Sequence, residues 1–430
     1  MRHKKENEVN MPLSGFKILN NKSLKLFIFM LSLFLLLSGC AKSPILSITP
    51  VSTPGGTSQL LSENDTYTPG QSTAVSTIFV QATDGTDDGV KRLISSMQSR
   101  GLDFYKRATS PNGLIASTDV VLLEINCQWA ERGGTNTDLI RSVIQAILDH
   151  PDGFRGEIIV ADNGQAQYGS NGRGGSLSWA NANAVNRQQS AMHVIRSFQE
   201  RGYKVTGVLW DDFTRVRVQE FNSNDNRDGF VVEDTRRSTG FEISYPKFTT
   251  EYGTMVSFKE GIWSAGSYDS EKLKIINMPV LKSHGLYYVT GAVKAYMGTV
   301  SDRLTNGRSH NSVGRGGMGT QMAGTRMPVL NLMDMIWIGA EQGPGISYAA
   351  AIQINKIAAS VDPIALDYWA AKYILMPEAA KLPGGRAASK NPDGTQPGTF
   401  GYWLRLSMNE LHQAGIWATM TESEIMVIGM

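Results

Sequence analysis

A strand, a helix and a second strand follow one another between residues 119 and 162, and this segment constrains the fold more than any other. Val120–Ile125 is a near-continuous apolar run, which is typical of a strand buried on both faces. Thr137 is a candidate N-cap, and apolar residues recur after it at helical spacing until Pro151. Residues 157–161 begin the next strand. Because parallel neighbours need such a crossover, the segment predicts a βαβ unit within a parallel sheet.

The same alternation continues further along the chain. A helix is predicted over residues 184–201 and a strand over residues 204–210. The repetition favours a three-layer α/β fold, in which a mainly parallel sheet has helices on both faces. A short strand-like run begins near Ser76, so we expect one folded domain over residues 77–430.

The first 40 residues have the pattern of a cleaved export signal. Six lysine or arginine residues precede an apolar run over residues 26–37, and Ser38 and Gly39 then stand directly before Cys40. The run is shorter than the roughly 20 residues that a membrane-spanning helix needs. The arrangement resembles the lipobox of bacterial lipoproteins, whose cysteine thiol is acylated before cleavage. The alternative is an ordinary signal peptide with a chance cysteine. We expect residues 1–39 to be removed and Cys40 to carry a lipid anchor.

Residues 40–76 are rich in Ser, Thr, Pro and Gly and hold few large apolar side chains. This composition predicts a flexible tether between the anchor and the folded domain. The protein is therefore expected in the bacterial cell envelope, bound to a membrane through the lipid on Cys40. That membrane is an outer membrane or the outer face of the cell membrane.

Charge and cysteine content exclude several classes of function. Without the six basic and two acidic residues of the signal peptide, 35 basic and 37 acidic residues remain, a net charge of −2. No basic field favours a nucleic-acid partner. With Cys40 acylated, Cys127 is the only other cysteine, which excludes an intramolecular disulfide. A single remaining cysteine also excludes an iron–sulfur cluster or a cysteine-ligated zinc ion within one chain.

Polar residues follow the three predicted strands where ligands bind in open parallel sheets. These residues are Asn126, then Asp162 with Asn163, then Asp211 with Asp212. The alternative is that they cap loops, as Asn and Asp commonly do. The adjacent Asp211 and Asp212 could also offer oxygen ligands to a divalent metal, although two neighbouring carboxylates alone are weak evidence.

Two glycine-rich stretches are candidate anion-binding loops. They span residues 164–175 and residues 298–324, and the second includes Arg303. Glycine lets backbone amides approach an anion, and arginine can hold one through two parallel hydrogen bonds. Flexible surface loops explain both stretches equally well.

The densest group of chemically active residues begins at residue 282. A buried-strand pattern leads into Lys282 and His284, which share one side of an extended chain. Lys294 follows on a helical turn, and His310 lies in the second glycine-rich stretch. Such a group could bind a carboxylate or phosphate, or move a proton. The histidines could instead bind a metal with carboxylates from elsewhere, although a lone histidine is more often structural.

These residues resemble the domain-of-unknown-function 362 family. Its pattern is a strand that ends in Lys-x-His, followed by Thr, by Lys-Asn, by Gly and by a later His. The resemblance covers residues 115–375 and includes a family-like segment at residues 360–367. There, Asp362 and Pro363 also form an ordinary helix start.

Two features depart from the family pattern. Lys294 is followed by Ala295 instead of Asn, and Glu124 stands where many relatives have Lys. Some relatives carry a ferredoxin-like extension, which a chain with two cysteines cannot supply. The resemblance implies a site but no settled reaction.

Two functions remain open from the sequence. In the first, the protein is an enzyme that acts on a small anionic molecule at the strand ends, and its catalytic residues are Lys282, Lys294, His284 and His310. Asn126, Asp162, Thr290 and Arg303 then bind the substrate. In the second, a non-catalytic lipoprotein captures a ligand or a metal. Two cations and two histidines exceed what simple capture needs, which slightly favours the enzyme.

Overall fold

The computed structural model describes residues 75–85, 87–165, 174–236, 238–341 and 343–429. The predicted signal peptide, the lipid-anchoring Cys40 and nearly all of the predicted tether lie outside these residues. The first strand begins at Ser76, one residue before the predicted start of the domain. Within the described part of the chain, no helix combines the length and the apolar character needed to cross a membrane.

Strands and helices alternate through much of the chain. The strands are β1 (Ser76–Ala82), β2 (Tyr105–Lys106), β3 (Ile115–Ala116), β4 (Val120–Ile125), β5 (Glu157–Asp162), β6 (Val205–Leu209), β7 (Gly229–Arg236), β8 (Phe241–Thr249), β9 (Met255–Ser257), β10 (Gly261–Ser264), β11 (Ser267–Asp269), β12 (Leu273–Met278), β13 (Val280–His284), β14 (Tyr288–Thr290), β15 (Leu330–Gly339), β16 (Ile352–Ser360) and β17 (Ile425–Ile428). The α-helices are α1 (Asp87–Gln98), α2 (Thr137–Leu148), α3 (Ala191–Gln199), α4 (Ala292–Ala295), α5 (Arg308–Ser312), α6 (Gly317–Gly324), α7 (Pro363–Ala370), α8 (Met376–Ala380) and α9 (Phe400–Gln413).

The main sheet is mostly parallel, as predicted. Its strand order is β17-β1-β16-β15-β12-β4-β5-β6, and β13 joins it beside β15. The run from β15 through β12, β4 and β5 to β6 is parallel throughout. Antiparallel pairing is confined to β16 with its two neighbours and to β13 with β14. The carboxyl ends of the parallel strands therefore meet at one edge.

Strand β4 lies at the centre of the parallel run and is buried along its whole length. Its apolar side chains alternate between two clusters: Val120 and Leu122 belong to one, and Val121, Leu123 and Ile125 to the other. This alternation explains why the strand is apolar at nearly every position. Glu124 is the exception, and it is only 1% exposed.

Helix boundaries differ from the predictions where side-chain caps decide them. Asn136, not Thr137, is the N-cap of α2, because its Oδ1 accepts the amides of Asp138 at 2.9 Å and Leu139 at 3.1 Å. Helix α3 begins at residue 191 and not at 184, since the hydroxyl of Ser190 caps it. Apolar spacing alone could not locate these caps.

Substitution of Asn136 by alanine is expected to destabilise the protein by about 2 kcal/mol, the upper end of the range for a lost N-cap. The cap is 1% exposed, so water cannot replace the lost acceptor. Urea unfolding of residues 75–430 would measure the change. The exposed Asn222 offers a matched Asn→Ala control that should change the free energy of unfolding by less than about 0.5 kcal/mol. Equal effects of the two substitutions would contradict the role given to the cap.

A second sheet stands between β6 and β12 in the chain, and no sequence pattern predicted it. Its five strands follow the order β11-β10-β9-β8-β7 and are all antiparallel. Buried aromatic side chains, among them Phe230, Phe248 and Phe258, join its core to that of the main sheet. The described chain is therefore an α/β fold with an inserted antiparallel sheet.

Residues 308–315 and 317–324 form short helices, so the interpretation of the second glycine-rich stretch as a flexible loop is wrong for these residues. Val313 and Met318 are fully buried. A Cβ at position 319 would lie 2.1 Å from the carbonyl oxygen of Ser407 in α9. Glycine at this position thus serves close packing of α6 on α9.

Two buried aspartates fix the starts of two helices, α7 and α4. Asp362 caps α7 through the amides of Ile364 and Ala365, which confirms the predicted helix start. Asp367, one turn later, accepts the amides of Ala292 at 2.5 Å and Val293 at 2.9 Å. It thereby anchors the start of α4, the turn that carries Lys294.

Candidate functional site

A cavity of about 270 Å³ opens at the carboxyl ends of the parallel strands. Seven of the eight predicted catalytic and substrate-binding residues line it: Asn126, Asp162, Lys282, His284, Thr290, Lys294 and His310. Asn126 directly follows β4, and the others come from β5, β13, β14, α4 and α5, so the fold brings together residues that are far apart in sequence. The eighth, Arg303, is exposed and is not among the lining residues.

Lys282 is completely buried and is held by oxygen acceptors. Its Nζ donates to Oδ1 of Asn126 at 3.3 Å and to the carbonyl oxygen of Gly133. Burial, together with the charge of Lys294, lowers the pKa of Lys282 to about 7, although the charges of Asp162 and Asp334 act in the opposite direction. Among the described residues it has no salt-bridge partner. Lys282 is therefore a fixed cation or amine in the cavity wall.

Lys294 projects from α4 and is 7% exposed. Within the described residues, its Nζ has neither a hydrogen-bond acceptor nor a salt-bridge partner, and it lies 5.6 Å from the ring centroid of Tyr287. Burial lowers the pKa of Lys294 to about 8, although the charge of Asp302 partly offsets this. Its ammonium group is thus available to a ligand.

His284 has a defined tautomer because of its position at the end of β13. Its Nδ1 accepts the backbone N–H groups of Leu286 and Tyr287, both at 3.1 Å. A nitrogen that accepts two hydrogen bonds carries no proton, so the proton of the neutral ring is on Nε2. Burial and the charge of Lys294 lower the pKa of His284 to about 2. His284 is therefore a fixed, neutral N–H donor.

His310 differs from His284 in its bonding. Its backbone N–H donates to Oδ1 of Asp302 at 3.0 Å, but within the described residues its ring has no hydrogen-bond partner. The ring centroid lies 6.2 Å from that of His284. Burial and Lys294 lower the pKa of His310 to about 4. At neutral pH its ring is unprotonated and can accept a proton.

The tautomer of His284 leads to a spectroscopic prediction. In ¹⁵N NMR spectra, its Nε2 should be protonated and its Nδ1 unprotonated from pH 5 to pH 8, because its pKa lies near 2. A His284→Gln variant would assign the signals. A neutral ring with its proton on Nδ1 would show that the backbone amides do not control the tautomer, and titration near 6.5, the usual value for histidine, would contradict the effect of burial on the pKa.

Asp162 and Glu124 form an acidic part of the site. Oδ2 of Asp162 accepts the amide of Cys127 at 2.6 Å. Burial raises the pKa of Asp162 to about 7, with backbone hydrogen bonds acting in the opposite direction. Neither carboxylate oxygen of Glu124 has a hydrogen-bond partner among the described residues. Burial and Asp162 raise the pKa of Glu124 well above its usual value. Sequence reasoning missed Glu124 as part of the site, and its position in an otherwise apolar strand was the available signal.

Two backbone amides at the end of the first glycine-rich stretch bind a carboxyl group of the protein itself. The amides of Gly174 and Gly175 donate to Oδ2 of Asp211, the second at 2.8 Å. Asp211 therefore fixes a loop and does not line the cavity, and Asp212 is exposed. Among the described residues, no three His, Cys, Asp or Glu side chains are grouped as a metal site.

Comparison with known proteins identifies one family. Residues 265–372 match the family model of a domain of unknown function (DUF362). This segment carries Lys282, His284, Thr290, Lys294 and His310, whereas Asn126 and Asp162 reach the cavity from outside it. No curated protein and no solved structure matches the chain. The match supports the family of this segment and assigns no reaction.

Proposed function

We propose that the cavity is the active site of an enzyme that acts on a small molecule with a carboxylate or phosphate group. The observation that carries the proposal is the buried ammonium group of Lys294, which lines the cavity and has neither a salt bridge nor a hydrogen bond among the described residues. Burial of an unpaired cation is costly, and an anionic ligand would offset that cost. The fully buried Lys282 adds a second positive charge to the same cavity.

The geometry suggests a separate role for each basic residue. Lys294 binds the anionic group directly, and His284 donates a hydrogen bond from Nε2. Lys282, held by Asn126, orients this group and adds to its attraction. His310 is left as the proton acceptor, since its ring is neutral and has no hydrogen-bond partner among the described residues. A protein that only captured the anion would need the two lysines but not His310.

Sulfate is a suitable probe, because it remains a dianion across the relevant pH range. At pH 8.5 both lysines are largely neutral, since their pKa values are about 7 and about 8. A bound anion raises these pKa values, so binding should take up about one proton or more. Calorimetry in buffers of different ionisation enthalpy measures this uptake.

The wild-type protein provides its own control at pH 6. Both lysines are already protonated there, so sulfate binding should take up almost no proton. Binding without uptake at pH 8.5 would contradict the assignment of the lysines as the anion site. A His310→Gln variant that keeps its sulfate affinity but no longer converts the substrate would show that the protein is an enzyme. A protein that only captures its ligand has no turnover to lose.

The same proposal includes the cellular location of the protein. Residues 1–39 are an export signal, Cys40 carries a lipid, and a flexible tether joins it to a three-layer domain without a ferredoxin-like extension. The support comes from the sequence pattern around Cys40 and, for the layers, from the two apolar clusters that β4 separates. Labelled palmitate should enter the full chain but not a Cys40→Ser variant, and equal labelling of both would contradict the anchor.

A further inference from the structure

Two carboxyl groups, those of Asp162 and Glu124, meet at one glycine of the cavity wall. Asp162 and Gly298 both line the cavity. A Cβ on Gly298 would lie 2.3 Å from Oδ1 of Asp162 and 2.4 Å from Oε1 of Glu124. Any side chain at position 298 would therefore collide with both oxygens. The missing side chain leaves space in front of this carboxyl pair.

Two amide side chains in the same wall are already used within the protein. Asn163 donates through Nδ2 to the carbonyl oxygen of Val300 at 2.7 Å, and its Oδ1 accepts the amide of Gln165 at 3.0 Å. Gln165 donates through Nε2 to the carbonyl oxygen of Met297 at 2.5 Å, and its Oε1 accepts the amide of Asp302 at 2.7 Å. Both side-chain amides therefore hold the cavity wall together through hydrogen bonds within the protein.

The remaining groups in this part of the cavity favour a hydrogen-bond donor. An ionised carboxylate only accepts hydrogen bonds, and Asp162 offers such a group. Thr290 also lines the cavity; it is 5% exposed, and its Oγ1 has no hydrogen-bond partner among the described residues. Asp162 is largely ionised at pH 7.5, because its pKa is about 7. A second anionic group would be repelled here.

We propose that the ligand is a small anion that also carries a hydrogen-bond donor, a hydroxyl or an ammonium group, which binds to Asp162. This inference rests on the proposed function, because Lys294 and His284 must hold the anionic group at the same time. The ligand is thus of the size and chemistry of a short hydroxy acid, amino acid or hydroxylated phosphate ester. The cavity volume of about 270 Å³ limits it to a small molecule.

Three probes of almost equal size test the inference: acetate, glycolate and glycine. Their dissociation constants would be measured by competition with sulfate at pH 7.5 on residues 75–430. Wild-type protein should bind glycolate or glycine at least about tenfold more tightly than acetate, as expected for one added hydrogen bond to a charged group. A preference for glycolate would identify a hydroxyl donor, and a preference for glycine an ammonium donor.

An Asp162→Asn variant should remove this preference, because an amide oxygen that keeps the Cys127 hydrogen bond leaves a donor NH₂ group in place of the accepting Oδ1. The exposed Asp149 offers an Asp→Asn control that should keep the preference. Equal binding of all three probes to wild-type protein would overturn the inference and leave the proposed anion site standing. Absence of sulfate binding would overturn the proposed function itself. The wild-type comparison needs no variant, so the test holds even if Asp162→Asn does not fold.

Discussion

Lys294→Met is expected to weaken sulfate binding about 100-fold while the protein remains folded. Loss of one partner of a buried charge pair costs 2–5 kcal/mol of binding free energy, and about 2.7 kcal/mol corresponds to that factor. Methionine keeps the length of the lysine side chain and removes its charge. Lys294 has no acceptor among the described residues, so the substitution leaves no protein group without its partner.

Lys91→Met is the matched control for this substitution. Lys91 lies on α1, is exposed and does not line the cavity, so its replacement should change the dissociation constant less than about twofold. Calorimetry at pH 7 would compare the two variants with wild-type protein. Similar affinities for wild-type protein and Lys294→Met would remove the observation that carries the proposed function.

The same Lys294→Met substitution should stabilise the unliganded protein at pH 7. The pKa of Lys294 falls from 10.5 to about 8 on folding, so the charged form is disfavoured in the folded state. Below pH 8 the folded protein bears this cost in full, about 3 kcal/mol at 1.36 kcal/mol for each pKa unit. Between pH 8 and pH 10.5 the folded lysine loses its proton before the unfolded one, so the cost disappears as the pH rises.

Thermal unfolding without ligand would show the gain. The midpoint of Lys294→Met should exceed that of wild-type protein by roughly 5 °C at pH 7, and the difference should shrink at pH 10. Lys282→Met should give a smaller gain, because it would leave Asn126 and the carbonyl oxygen of Gly133 without their donor. A Lys294→Met variant that is less stable than wild-type protein at pH 7 would show that the charge is compensated within the fold.

Lys294→Met is thus expected to weaken sulfate binding and to stabilise the unliganded protein. This combination distinguishes a ligand site from a structural group. A lysine kept for stability should lower the melting temperature when it is replaced. A lysine kept for binding can be costly in the free protein, since the ligand supplies its counter-charge. Lys294 fits the second description because it combines burial with a cavity-facing ammonium group.

Local patterns in the sequence were sufficient to predict the central strands and some of the site residues. The apolar run of β4 and the spacing of α2 are properties of contiguous residues, and both elements stand where they were predicted. Lys282 and His284 share one side of β13 because side chains alternate along a strand. The topology of a parallel sheet then brings Asn126 and Asp162 to the same edge.

Tertiary contacts decided what the sequence could not predict. The tautomer of His284 depends on the amides of the turn that follows it, and spacing carries no information about that geometry. Glu124 was noted as a departure from a family pattern, but its burial without a hydrogen-bond partner among the described residues depends on tertiary packing. Asp211 was a candidate ligand until the fold placed the amides of Gly174 and Gly175 against it.

The pKa of Lys294 is the most direct measure of the central claim that a buried cation in this cavity receives an anion. NMR of protein labelled at the lysine side chains, assigned with Lys294→Met, would follow its titration with and without saturating sulfate. The account predicts a pKa of about 8 in the free protein and a rise of at least one unit with sulfate. A pKa near 10.5 in the free protein, or one that sulfate does not change, would contradict it.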